Sequence, residues 1–281
     1  MSSHLLSARA PGDGADRPDA THQDRRYVYV ARSRRAGGLS LGIDLTPEGH
    51  CSFSCIYCQA SHPPTSHPEL AVDVPRMRED LRLRLQQDNG ELKDIVLAGS
   101  GEPTMVPNLA DALEAIVDVR DELRCPLPIK LFTNGRHLGK DAVHQAVGRF
   151  AQRGGQVWIK LDGASEETLA TINGRRFAVQ EHLRDLWQFA KQHPVGLQTL
   201  LCHGPGLPDP SHVVEEVTHA IAEGLSQGAR ITEIHLLTLS RRPADERAAS
   251  RLQPVPLASL EGFALQIQKV ISIPILVFPS A

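Results

Sequence analysis

The sequence predicts an α/β fold of parallel strands, a partial (β/α)6 TIM-like barrel. Three observations predict it. From about Ser40 onward, short apolar runs alternate with longer amphipathic segments, six times in succession. Such alternation implies parallel strands joined by crossover helices. Polar and glycine-rich turns follow the runs, at the carboxyl ends of strands, where α/β folds bind ligands. The chain has 281 residues, 41% of them hydrophobic, enough for one domain with a sizeable core. Six units are too few for a closed barrel. A doubly wound sheet satisfies the same periodicity, so periodicity alone leaves both open.

Taken in order, the strand-like runs are Leu41–Leu45, Asp94–Ala98, Ile129–Thr133, Val157–Asp162, Gly196–Cys202 and Glu233–Leu239. The helical segments between them are Pro75–Gln87, Asn108–Leu123, Gly139–Arg153, Ser165–Asn173 followed by Val179–His193, and Ser211–Gln227. Their apolar residues recur at three- and four-residue spacing, as in the stripe Leu109, Leu113, Ile116 and Val117. A last helix, Pro256–Val270, precedes a short apolar tail, Ile271–Phe278. The expected layout is an N-terminal disordered arm, residues 1–26, and one domain over residues 27–281. The arm lacks an apolar signal-peptide core and is rich in Asp, Gly, Arg and Pro.

Composition excludes several functions. A net charge of -3 gives no general pull toward nucleic acid or membrane. Aromatic residues make up 4%, too few for broad base-stacking platforms. No run of about 18 apolar residues exists, so no transmembrane helix and no membrane partner is expected, and the expected location is cytoplasmic. Five cysteines do not make a disulfide scaffold in a chain this long. Three of them fall within eight residues, which in a cytosolic protein points to metal or redox chemistry.

That segment reads His50-Cys51-Ser52-Phe53-Ser54-Cys55-Ile56-Tyr57-Cys58, a Cys-x3-Cys-x2-Cys spacing in a loop after the first run. Three thiolates this close can hold three corners of an iron–sulfur cubane and leave one iron open for a small chelating ligand. A structural zinc site is the alternative. Zinc normally needs a fourth ligand, often from a second Cys pair. Cys125 and Cys202 are isolated, and Cys202 reads as a small buried hydrophobe.

Further along, Gly99-Ser100-Gly101-Glu102-Pro103 suits a strand-to-helix turn with Pro103 opening the helix. Its glycines allow close approach of backbone to a ligand. Thr133-Asn134-Gly135 is in the first place a turn. Lys160 and Asp162 share one face of the fourth strand because side chains alternate. Burying that pair costs several kcal/mol unless its members are paired. A buried salt bridge or a functional site each accounts for it, and the functional role is favoured. Gln198 and Thr199 lie on the fifth strand, and Glu233 and His235 alternate on the sixth.

With Tyr57 just before the last cysteine and these turns following in order, the chain resembles the radical S-adenosylmethionine (SAM) superfamily. The resemblance spans roughly Arg32 to Leu239. It implies the radical SAM core, a partial barrel. It also implies a 4Fe–4S cluster on Cys51, Cys55 and Cys58, with SAM on the remaining iron. Tyr57 is then placed near the adenine. Ser100, Gly101 and Glu102 match the family's Gly-Gly-Glu-Pro motif, with Ser100 in place of the first glycine, and accept from the SAM ammonium. Thr133 and Asn134 line the SAM pocket, Asp162 holds the ribose hydroxyls, and Thr199 lies near adenine or ribose. Lys160 binds a substrate carboxylate or forms a Schiff base. The implied reaction is oxygen-sensitive reductive cleavage of SAM to a 5′-deoxyadenosyl radical, with an electron donor such as flavodoxin or ferredoxin.

The stretch Arg32–Asp44 and the run Ile172-Asn173-Gly174-Arg175 resemble one subgroup, the wyosine-synthase-like proteins that modify tRNA, with their uncharacterised bacterial relatives. That likeness makes RNA a possible partner, and Arg25, Arg26, Arg32, Arg34 and Arg35 can contact phosphates. A solvated basic arm explains the same arginines. The subgroup's synthases carry further N-terminal cysteines for a second cluster, whereas none precedes Cys51 here. The substrate is therefore expected to be an RNA base or nucleotide, or else a small metabolite or peptide. Aminocarboxypropyl transfer from SAM and a non-catalytic zinc-binding module are the alternative readings.

Overall fold

A computed structural model describes residues 27–47, 49–60 and 71–280. The expected N-terminal arm, with Arg25 and Arg26, lies outside them. The chain divides into two compact units. Among the described residues, the first comprises 27–52 and 71–158, and the second 53–60 and 159–280.

In the first unit, β1 (Val28–Ser33) and β2 (Gly38–Ile43) form an antiparallel hairpin. Then come α1 (Val74–Gln86), β3 (Leu92–Leu97), α2 (Leu109–Glu122), β4 (Ile129–Thr133), α3 (Asp141–Gln152) and the start of β5 (Gly155–Lys160). The strand order is β1-β2-β3-β4-β5. β2 pairs parallel with β3, and β3 with β4. The sheet is thus parallel as expected, except for β1, which the sequence pattern did not single out.

Strand alternation sorts the side chains. Leu41, Ile43, Ile95, Leu97, Ile129 and Leu131 are fully buried on one face. The stripe expected on α2, Leu109, Leu113, Ile116 and Val117, is buried too. Each such side chain contributes about 1.5–3 kcal/mol as an upper estimate. On the other face Val96, Phe132 and Trp158 pack together. Toward the strand starts, buried Asp94 accepts from Ser40 Oγ at 2.5 Å and pairs with Lys130 Nζ at 2.7 Å. Side chains of the β1–β2 hairpin reach onto this face. An added Cβ at Gly42 would overlap the Tyr29 ring, whose hydroxyl donates to the Ala98 carbonyl. The Arg35 guanidinium lies 4.1 Å over the Phe132 ring. Burial, then neighbouring Arg34, lowers its pKa to about 10. Arg35 is therefore engaged by this unit's own aromatic residue, where a solvated arm was the sequence alternative.

The second unit continues from the end of β5 through α4 (Glu166–Ile172), α5 (Val179–Gln192), β6 (Val195–His203), α6 (Pro210–Ser226) and β7 (Ile231–Thr238). It ends with α7 (Glu246–Ala249), β8 (Gln253–Pro254), α8 (Leu257–Gln268) and β9 (Ile275–Phe278). The order is β5-β6-β7-β9, all parallel where β6 meets β7 and β7 meets β9. β8 pairs antiparallel with β6. The short α7 and β8 follow no apolar period, and the sequence did not mark them.

Glu216 on α6 fixes the turn after Asp162. It accepts from Ala164 N at 3.0 Å, Ser165 Oγ at 2.7 Å and Thr168 Oγ1 at 2.9 Å, at the start of α4. Burial disfavours its charge, but these donors and His212 prevail and hold the carboxyl below its usual pKa. A depressed folded pKa contributes stability that is complete above the unfolded value and lost as pH falls through the folded one. Glu216→Gln should therefore lower stability at neutral pH by about 1 kcal/mol. It should also flatten the loss of stability on acidification, measured by denaturant unfolding at neutral pH and near pH 3. An unchanged acid slope would contradict this assignment.

Among the described residues, no helix is long and apolar enough to cross a membrane.

Candidate functional site

The second unit holds residues 53–58 against the end of α4. Ser54 N donates to the Asn173 carbonyl at 2.8 Å, and Ile56 N to that of Ile172 at 3.0 Å. Gly174 has φ +67°, and a Cβ there would lie 2.6 Å from the Ser54 carbonyl oxygen. Only glycine gives both that backbone and that approach. Phe53 stacks on Phe177 with centroids 5.6 Å apart. From the other side, Ala244 N donates to the Cys58 carbonyl at 2.8 Å.

Asp162 is the centre of a buried network in this unit. Its Oδ2 accepts from the Tyr57 hydroxyl and from Asn173 Nδ2, the latter at 2.9 Å. Its Oδ1 accepts from Leu200 N at 3.0 Å. Lys160 Nζ lies 3.7 Å from Asp162 Oδ2 and 4.5 Å over the Tyr57 ring. Burial, then the Asp162 charge, holds the Tyr57 phenol well above its usual pKa, so it stays a donor. Cys55 Sγ receives Asn173 Nδ2 at 3.1 Å and Lys160 Nζ at 3.7 Å. Burial pushes the Cys55 thiol up, and Lys160 pulls it back down.

The first unit builds a second network around Glu102, which is 3% exposed. Its Oε1 accepts from Thr104 N at 3.1 Å, Thr104 Oγ1 at 2.6 Å and Thr133 Oγ1 at 2.5 Å. Its Oε2 accepts from Asn134 N at 2.8 Å. Asn134 Nδ2 in turn donates to Ser52 Oγ at 3.0 Å and reaches Cys51 Sγ at 3.8 Å. Glu102 N donates to the His50 carbonyl at 2.7 Å. An added Cβ at Gly101 would lie 1.9 Å from that same oxygen, so no larger residue fits. Ser100 N donates to Asp44 Oδ2 at 2.9 Å.

A sequence model of the Radical SAM superfamily matches residues 47–209, more than half of the chain and all of both networks except Asp44. The chain belongs to the radical SAM superfamily. Its members are enzymes that bind a 4Fe–4S cluster and SAM, and these are the cofactors of the fold. A radical SAM methyltransferase from Sphaerobacter thermophilus superposes with a TM-score of 0.59. It shares 17% identity over 86% of this chain and 66% of its own. SuiB of Streptococcus suis bound to SAM gives 0.57, with 13% identity over 87% and 52%. These likenesses show the fold, that of the radical SAM partial barrel. In sequence, the chain is 36% identical to a GTPase Obg of Brachyspira hyodysenteriae over 118 residues, 41% of this chain. It is 32% identical to a UPF0026 protein of Synechocystis over 137 residues, 48% of this chain. The matched stretches span only 16% and 48% of those two proteins.

Against this family background the donors around Cys55 fit a cluster ligand. A neutral buried thiol has no need of an amide N–H and an ammonium, whereas a thiolate bonded to iron is stabilised by both. Among the described residues, no three His, Cys, Asp or Glu side chains gather around one metal ion. A cubane does not require that, because each thiolate meets a different iron.

The networks bring Tyr57, Lys160 and Asp162 together in one unit, and Glu102, Thr133 and Asn134 in the other. Thr199 donates its hydroxyl to the Leu161 carbonyl at 2.8 Å, and so braces the backbone before Asp162. Cys202 is 6% exposed, and burial pushes its thiol up to about 12, as suits a small hydrophobe. His235 Nε2 meets Glu233 Oε1 at 2.5 Å, and its ring lies edge-on to Phe278. Two participants were named from sequence only within the subgroup-like segments, without a role at the site. Asp44 binds the Ser100 amide, and Asn173 binds both Cys55 and Asp162. The position at the end of the helical segment Ser165–Asn173 was the available signal for Asn173.

Proposed function

We propose that the chain is a radical SAM enzyme in which Cys51, Cys55 and Cys58 each ligate one iron of a single 4Fe–4S cluster. The observation that carries this is the Cys-x3-Cys-x2-Cys segment inside the matched region, with Cys55 Sγ held by Asn173 and Lys160. When bound, the reduced cluster supplies the electron that splits SAM into methionine and a 5′-deoxyadenosyl radical. The protein's own residues bind, orient and exclude water. The Glu102 carboxylate already has four protein donors, about its full acceptor capacity. It therefore shapes the Gly101 and Asn134 turns, and the SAM ammonium falls to the backbone carbonyls of residues 99–101. Asp162 Oδ1 accepts one bond from the protein and keeps a lone pair for a ribose hydroxyl. Lys160, fixed by Asp162 and Tyr57, is a cation suited to a substrate carboxylate.

The substrate is an RNA base or nucleotide, as the wyosine-like segments suggest, or a small metabolite or peptide. Flavodoxin or ferredoxin supplies the electron. The test is anaerobic. The protein is reconstituted with iron and sulfide, given reductant and SAM, and assayed for 5′-deoxyadenosine by mass spectrometry. Its appearance is the expected result. Methylthioadenosine instead would indicate aminocarboxypropyl transfer, and zinc without iron or sulfide would sink the radical reading. Charge reversal at Arg32 and Arg34 separates the substrates. An unchanged RNA affinity and salt slope would remove RNA.

A further inference from the structure

We infer that Asn173 is a positioning residue that raises the reduction potential of the cluster, through an N–H···S hydrogen bond to the Cys55 sulfur. The inference rests on the reading of Cys55 as a cluster ligand.

Asn173 caps the C-terminus of α4 and is fully buried. Its Nδ2 donates to Cys55 Sγ at 3.1 Å and to Asp162 Oδ2 at 2.9 Å. Both partners are acceptors, so the orientation of the amide is set by chemistry. Asn173 Oδ1 is left buried with no partner among the described residues. Leaving a buried acceptor unsatisfied costs stability. A residue chosen for packing or for capping alone would avoid that cost. The side chain is oriented for its N–H groups, and one of them points at sulfur.

The consequence follows from charge. Reduction adds one electron to the cluster and raises the negative charge on its thiolates. A donor at the sulfur stabilises that state more than the oxidised one, and the effect is larger where water is excluded. Lys160 Nζ, 3.7 Å from the same sulfur, acts in the same sense. Loss of the Asn173 N–H should therefore make reduction harder. The expected change is about tenfold in the ratio of reduced to oxidised cluster at a fixed potential, or about 59 mV for one electron.

The experiment compares the full chain with Asn173→Ala and with the near-isosteric Asn173→Asp, all reconstituted anaerobically. Iron and sulfide content is measured first, and the midpoint potential is then taken from an EPR-monitored redox titration. The expected result is a full cluster in both variants with a lowered midpoint, lower still for Asn173→Asp, which adds a negative charge. Full clusters with an unchanged midpoint in both variants would overturn the inference. Failure of both to load a cluster would overturn it as well, because the residue would then serve assembly alone. A parent protein that holds no iron and sulfide would instead refute the ligand reading beneath it.

Discussion

Cys55→Ala is expected to reduce cluster loading to background and to abolish 5′-deoxyadenosine formation. Two thiolates cannot replace three, since the protein would then hold only two of the cluster's four irons. The variant also strips Asn173 Nδ2 and Lys160 Nζ of the acceptor they share. The fold should survive, because the segment stays tied through backbone bonds from Ser54 and Ile56 to Asn173 and Ile172. The measurement is iron and sulfide per chain after reconstitution, alongside circular dichroism to verify folding. A variant with full iron and sulfide and undiminished SAM cleavage would remove Cys55 from the ligand set.

The core strands and helices were legible because each carries its own periodic signal. β4 begins and ends at the expected residues, Ile129 and Thr133. α2, α3 and α5 fall within a few residues of their apolar stripes. β1 was not legible. Only Arg32 and Ser33 of this strand lie in a stretch singled out from sequence, and the strand is held by pairing along β2 and by Tyr29 packing over Gly42. These contacts are made with the neighbouring strand of the hairpin.

The site shows the same division. Lys160 and Asp162 were visible from strand alternation, and the cysteines from their spacing. Residue Asn173 meets Cys55 across 118 positions of sequence, so no local spacing points to it. Likewise, Glu102 stood out within its motif. The saturation of its carboxylate depends on Thr133, 31 residues away, and was invisible until the fold brought them together.

Asp162→Ala should have the largest effect on stability. Asp162 is 2% exposed and accepts from Tyr57, Asn173 and Leu200 while pairing with Lys160. Its removal leaves three donors and an ammonium without their shared anion. Breaking a buried pair from one side costs about 3–5 kcal/mol. Lys160 retains 25% side-chain exposure and can turn toward water, which places the expectation near the lower end. Denaturant unfolding should show this as a lower midpoint with an unchanged slope. Asp162→Asn separates stability from ligand binding. Its carbonyl can still accept from Leu200 N, but its amide must face the Tyr57 hydroxyl and the Asn173 amide. Stability should fall less than in Asp162→Ala, while SAM affinity falls in both. A stable Asp162→Ala protein, within about 1 kcal/mol of the parent, would show that the network does not depend on this carboxylate. Full SAM affinity in Asp162→Asn would show that the carboxylate serves the fold alone, and the ribose would need another partner.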